Sequence, residues 1–237
     1  MSDLLAVFAH PDDETFICGG TLAKYAKEGH HVTLLCATLG EMGRRMGDPI
    51  IASRETLADL RQQELQAACD ALSVRELRLL GLRDKTLEIY PHERLTQMIL
   101  TEMERTRPTV IISFHEEFGG HPDHCAIGGA TTDAFIKYRQ ACMQTSISCE
   151  VKLYYVVWPS MFAQKQDDLL HKRHFTSIDV KAFAKEKLTA FRAHRTQSQL
   201  HQWLWKSDRQ AIAHLDLVEH FMAFDARQNA AGESQLM

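Results

Sequence analysis

Apolar residues follow two rhythms along this chain, short unbroken runs and longer stretches with one apolar position every three or four residues, and the two alternate. The runs at 4–9 and 32–37 predict buried strands, with a helix over 15–28 between them that Gly29 closes. Gly40, Gly43, Gly47 and Pro49 crowd residues 38–52 and predict a long loop. Ser53 then reads as the N-cap of a helix to residue 72, with Leu57, Leu60, Ala68 and Leu72 as its apolar stripe. Further on, 74–80 and 109–114 predict strands, and helices span 91–105, opened by Pro91, and 123–138. Beyond a polar stretch at 139–148, residues 151–158 and 174–178 read as strands. Residues 180–194 and 208–224 read as helices, and 229–237 as a flexible tail.

This alternation predicts an α/β fold, a three-layer Rossmann-like sandwich with helices on both faces of a mostly parallel sheet of core order 3-2-1-4-5. One domain over 1–228 is expected, ending in a helical extension. In that order strands one and four are neighbours, and ligands bind in the crevice at their C-terminal ends.

Composition narrows the function classes. A net charge of -4 and the lack of any Lys/Arg block argue against a nucleic-acid partner. Residues 1–3 carry no basic n-region and the run at 4–9 is too short for a signal core or a membrane span, so a cytoplasmic protein without a membrane partner is expected. The six cysteines (Cys18, Cys36, Cys69, Cys125, Cys142 and Cys149) show no C-x-x-C spacing and read as reduced thiols.

Chemistry concentrates after the first and fourth predicted strands. Ala9-His10-Pro11-Asp12-Asp13-Glu14 follows one, and His121-Pro122-Asp123-His124 the other. Two histidines and a carboxylate leave a tetrahedral ion one open position for water, a requirement that His10, Asp13 and His124 meet. Asp12 and His121 then stand beside the ion, as residue types for proton transfer and charge stabilisation. Helix capping by the aspartates and prolines would explain either motif alone; two such motifs at adjacent strand ends point to metal-assisted hydrolysis. The run His115-Glu116-Glu117 does not make a zincin, since the next histidine is too distant. Neither a Walker loop, a G-x-G-x-x-G turn nor a G-x-S-x-G elbow is present. Arg61 and Glu64, one helical turn apart, read as a surface ion pair or a substrate contact. Arg44 and the Arg83-Asp84-Lys85 turn fall on the same sheet edge, where they suit anionic groups and sugar hydroxyls or remain solvated. His194 ends a predicted helix, where it could favour the dipole.

The two motifs resemble those of the zinc-dependent deacetylase family that includes N-acetylglucosaminyl-phosphatidylinositol deacetylases, LmbE-like proteins and the mycothiol and bacillithiol pathway deacetylases. Residues 38–44, 61–65, 80–88 and 194–197 look especially like the bacillithiol-biosynthesis deacetylases of the second type. The resemblance implies a Rossmann-like fold and hydrolysis of a small N-acetylglucosaminyl conjugate, with N-acetylglucosaminyl-malate as substrate and glucosaminyl-malate and acetate as products. It implies zinc on His10, Asp13 and His124, a donor set that also accepts ferrous iron. Asp12 would be the general base, His121 a protonated electrophilic partner, and Asp123 the residue orienting it. Arg44, Arg61, Arg83, Asp84, Lys85 and His194 would surround the substrate, and related deacetylases often form homo-oligomers. Phe118 stands where some relatives carry a tyrosine, so no phenolic contact transfers. Another N-acetylated amino sugar or thiol conjugate, or a silent sugar- or metal-binding protein, are the alternative readings.

Overall fold

The computed structural model describes residues 3–144, 150–158, 175–224 and 235–236 of the 237. Seven strands, β1 (Asp3–Phe8), β2 (His31–Thr38), β3 (Glu76–Leu82), β4 (Val110–Ser113), β5 (Lys152–Val157), β6 (Phe175–Asp179) and β7 (Val218–Ala223), form one sheet in the order β3-β2-β1-β4-β5-β7-β6. The five-strand core is parallel in the expected order, and β7 joins β5 and β6 antiparallel. Leu4, Leu5, Val7, Ile111 and Ile112 are fully buried, which is why these runs carry no polar alternation: both sheet faces are covered.

Helices α1 (Asp13–Lys27), α2 (Leu57–Leu72) and α5 (Ala184–Ala193) pack against one another, as do α3 (His92–Thr106) and α4 (Pro122–Gln144). Right-handed crossovers that lead from β1 outward to β3, and then back past β1 to β5, place these two groups on opposite faces. The short helices α6 (Arg195–Ser198) and α7 (Asp208–Ile212) complete the described helices longer than a single 3-10 turn. Leu204 and Ala211 join Leu188 in a small second cluster, against which Trp203 packs. None of the helices is long and apolar enough to cross a membrane, among the described residues.

Three expectations are corrected. Residues 208–224 are not one helix: α7 ends at Ile212 and the chain returns as β7. The reason is Glu219, whose carboxylate points into the protein, accepts the Gly20 and Thr21 N–H groups at 2.9 and 2.7 Å, and pairs with Lys187 Nζ at 2.6 Å. It caps the second half of α1 beyond a kink at Cys18, so an acidic residue occupies an inward strand position. Ser53 is not the α2 cap, because Ser53–Thr56 forms its own turn, with the Ser53 N–H donating to Thr56 Oγ1 at 2.9 Å. Leu236, in the segment expected to fray, is buried, and its N–H donates to the Tyr25 hydroxyl at 2.7 Å. Cys18, Cys36, Cys69, Cys125 and Cys142 are free thiols; Cys149 lies outside the described residues.

Candidate active site

β1 and β4 are adjacent and parallel, so the loops that leave them meet over the sheet edge. The first carries His10 to Asp12 into α1; the second carries Phe114 to His121 into α4. α4 seats closely on that second loop because Gly128 has no side chain: a Cβ there would stand 2.5 Å from the Phe114 carbonyl oxygen. The His124 ring consequently stacks on Phe114, with centroids 3.9 Å apart and planes at 2°.

His10, Asp13 and His124 converge. His10 Nδ1 lies 3.2 Å from His124 Nε2 and 3.5 Å from Asp13 Oδ2, and His124 Nε2 lies 3.3 Å from Asp13 Oδ1. Donor atoms about 2.0–2.1 Å from a tetrahedral zinc ion stand roughly 3.3 Å from one another, so the three spacings suit one small divalent ion. Burial opposes charge on Asp13, yet His124 and His10 hold its carboxyl well below the usual carboxylate range.

Hydrogen bonds sort the three histidines of this cluster. His124 Nδ1 lies 2.9 Å from the Gly119 carbonyl and must donate to it, which leaves the lone pair on Nε2, facing Asp13. His10 Nε2 lies 3.1 Å from Asp84 Oδ1 and 3.2 Å from Asp123 Oδ2 and donates there, so that in the neutral ring, the form that binds a metal, the lone pair is on Nδ1. Burial opposes protonation of His10, but hydrogen bonds to Asp123, Asp13 and Asp84 outweigh it and push the pKa up to about 12. His121 is the reverse case. The Asp123 backbone N–H donates to its Nδ1 at 3.1 Å, so in the neutral ring Nε2 carries the hydrogen. One of its ring nitrogens comes within 4.8 Å of those of His10 and His124. Burial and the neighbouring His10 and His124 hold its pKa below the ordinary histidine value.

Asp12 sits at the N-terminus of α1 with φ 99° and ψ -26°. Arg61 reaches it from α2, donating to Asp12 Oδ2 at 3.1 Å, to the Gly40 carbonyl at 2.7 Å and to the Pro11 carbonyl. Gly40, at φ +63°, leaves room for the guanidinium that any side chain there would strike. Burial raises the Asp12 carboxyl to about 6, against the pull of Arg61. A cleft of about 350 Å³ opens beside Asp13, His121 and His124, walled by Phe16 of α1, Trp158 after β5, and Val218 and His220 of β7.

A model of the PIG-L family (GlcNAc-PI de-N-acetylase) matches residues 5–135, which carry all of these residues except those of the far cleft wall. This chain belongs to the PIG-L family. Within it, the chain is 38% identical over 196 residues to a probable N-acetyl-alpha-D-glucosaminyl L-malate deacetylase 2 of Bacillus subtilis, covering 83% of each. A protein of the same description from Bacillus anthracis is 36% identical, over 82% of this chain and 80% of that one. Among solved structures, N,N'-diacetylchitobiose deacetylase from Pyrococcus horikoshii superposes with a TM-score of 0.66 at 20% identity, over 100% of this chain and 89% of that one, a likeness of fold. The conserved protein TT1542 from Thermus thermophilus does so at 0.64 and 25% identity, over 95% and 96%.

Several residues expected around the substrate have side chains engaged by other groups of this chain. Arg61 is buried beneath Asp12, and its two terminal nitrogens donate to two carbonyls and a carboxylate. Asp84 is buried against His10 and accepts the Met42 N–H at 2.8 Å. His194 is fully buried, with Nε2 at 2.7 Å from Glu14 Oε1. Asp123 does not reach His121 through its carboxylate, which is held by His10 and by the Lys85 and Leu87 N–H groups at 2.7 and 3.0 Å; only its backbone N–H orients that ring. Arg44, Arg83 and Lys85 are exposed, and their side chains do not line the cleft. Phe118 stacks on His115 with centroids 4.4 Å apart. Trp158, Val218 and His220 escaped the sequence reading because the wall they form exists only once β7 pairs with β5. Glu41 also escaped it: one oxygen accepts the Asp84 N–H at 2.9 Å and the other is buried without a partner among the described residues. Such an orphaned carboxylate oxygen beside the cluster was not legible from a glycine-rich loop.

Proposed function

We propose that this protein hydrolyses the acetamide of an N-acetylglucosaminyl conjugate, with N-acetylglucosaminyl-malate as the substrate and glucosaminyl-malate and acetate as products. The deacetylases of that description from two Bacillus species support the conjugate, and the cleft beside the histidine cluster supports a small molecule. The observation that carries the reading is the division of the histidines: His10 and His124 stand at metal-ligand spacing from Asp13 and from each other, while His121, its Nδ1 occupied by the Asp123 N–H, carries the hydrogen of its neutral ring on Nε2. His10, Asp13 and His124 would hold the metal, and their nitrogen and oxygen donors at these spacings favour zinc, with ferrous iron accepted by the same set. The reaction is assigned to the cytoplasm, where its substrate is a soluble conjugate.

When bound, such an ion acidifies water and polarises an acyl oxygen. Asp12 accepts a proton from the water whose oxygen bonds to the acetamide carbon. The neutral His121 Nε2–H donates to the oxyanion of the resulting tetrahedral carbon, in place of the protonated ring expected from resemblance. Collapse breaks the C–N bond as Asp12 returns its proton to the departing amine. Arg61 keeps the Asp12 carboxylate aimed throughout.

Amine release from N-acetylglucosaminyl-malate by metal-loaded and chelated protein tests this. Turnover that disappears with the metal and returns on adding zinc is expected; turnover of other acetylated amino sugars but not of this conjugate would overturn the substrate assignment.

A further inference from the structure

Asp12 holds a backbone conformation that a side chain of its kind disfavours, and something must keep it there. On its carboxylate side, Arg61 does so. On its backbone side the holder is Glu14: the Asp12 N–H donates to Glu14 Oε2 at 3.0 Å. Glu14 is itself 0% exposed, and its other oxygen receives the Thr15 hydroxyl at 2.6 Å and His194 Nε2 at 2.7 Å. His194 arrives from a point 180 residues further along the chain, at the junction of α5 and α6, and is likewise 0% exposed. Its Nδ1 has no partner among the described residues, so the ring's hydrogen bond to Glu14 is what offsets its burial. Burial opposes protonation of His194, but Glu14 and then Asp12 favour it and raise its pKa above the ordinary value.

We propose that Glu14 and His194 form a positioning pair that clamps the backbone of Asp12, so that Arg61 and the pair together aim its carboxylate at the reacting water. The proposal rests on the reading of Asp12 as general base. Neither residue touches the cleft, and both act through Asp12. His194 fixes the rotamer of the Glu14 carboxylate; Glu14 fixes the Asp12 peptide; and a base displaced by a fraction of an ångström loses much of its effect on the chemical step without losing substrate.

Two nearly isosteric variants separate this from packing. In His194→Gln an amide nitrogen replaces Nε2 and still reaches Glu14, whereas in His194→Asn the amide falls short. His194→Asn is expected to lower kcat about 10- to 100-fold with KM within about twofold and unchanged metal content, and His194→Gln to recover kcat to within about fivefold of the parent. A His194→Asn protein that is folded, metal-replete and fully active overturns the proposal, as does a His194→Gln protein as impaired as His194→Asn. Should His194→Asn fail to fold, amide hydrogen exchange on the unmodified protein decides: the Asp12 N–H is expected to be protected at least about 100-fold, and exchange at the rate of a free loop overturns the clamp. Full activity in Asp12→Asn would instead sink the reading of Asp12 as base, whatever the variants at His194 do.

Discussion

Nδ1 of His10 and Nε2 of His124 stand 3.2 Å apart and both face Asp13, so the two nitrogens need a shared proton or a cation between them. Asp84 and Asp123 both draw on the single N–H at the far side of His10, which fixes its tautomer and raises the electron density on Nδ1. Asp84→Asn is therefore expected to weaken metal binding about 10- to 100-fold, read by competition with a chelator. Stripping the metal from the parent protein is expected to lower its Tm by roughly 10 °C, the amount set by binding at about a thousand times Kd.

Asp12→Asn keeps an oxygen for Arg61 but removes the base, so kcat is expected to fall by about 10³-fold with the metal retained. The pH dependence of the parent follows from the sign of the Asp12 shift. Burial raises its pKa to about 6 and the base works only when ionised, so kcat/KM rises with pH and levels off above that value. The charge of a bound ion moves this acid limb to lower pH, never higher. An acid limb above pH 7, or one that survives in Asp12→Asn, contradicts the assignment.

Much of the fold and the heart of the site were legible because they depend on local rhythm and topology. Runs such as 32–37 announce doubly covered parallel strands, and the order 3-2-1-4-5 alone brings His10 to His124. What was not legible depends on long-range polar pairing. Glu219 looks like a polar helix position until Lys187 and the N–H groups of Gly20 and Thr21 are seen to surround it. Resemblance places Arg61, Asp84 and His194 around the substrate, while spacing alone leaves Arg61 an ion pair or a substrate contact and His194 a helix-end residue; the partners they have in the structure are other buried groups of this chain. Sequence spacing names the residue types of a site but not the direction in which each hydrogen bond runs.

The Lys187–Glu219 pair is itself a prediction about stability. Both side chains are 1% exposed, and Lys187 Nζ also donates to the Asp216 carbonyl at 3.0 Å. Lys187→Met removes the cation and leaves a buried carboxylate balanced only by two backbone N–H groups. Loss of about 3–5 kcal/mol of unfolding free energy in urea is expected, an order-of-magnitude figure for breaking a buried pair from one side. A loss under about 1 kcal/mol would show that the pair contributes little beyond packing.

His121 separates donation from protonation. Its Nδ1 is committed to the Asp123 N–H, and burial with His10 and His124 nearby keeps the ring neutral, so the group offered to a developing oxyanion is a neutral N–H. Removing one such donor typically costs about 10²–10³ in kcat, and His121→Ala is expected to fall in that range with KM little changed. His121→Gln can restore an N–H near the position of Nε2 and is expected to regain about tenfold of that loss. If the ring worked as a protonated acid, the amide could not replace it, and the parent's kcat would decline as pH rises through the lowered His121 pKa. A neutral donor has no proton to lose in that range, so the kcat profile of the parent should stay flat from pH 7 to about 9.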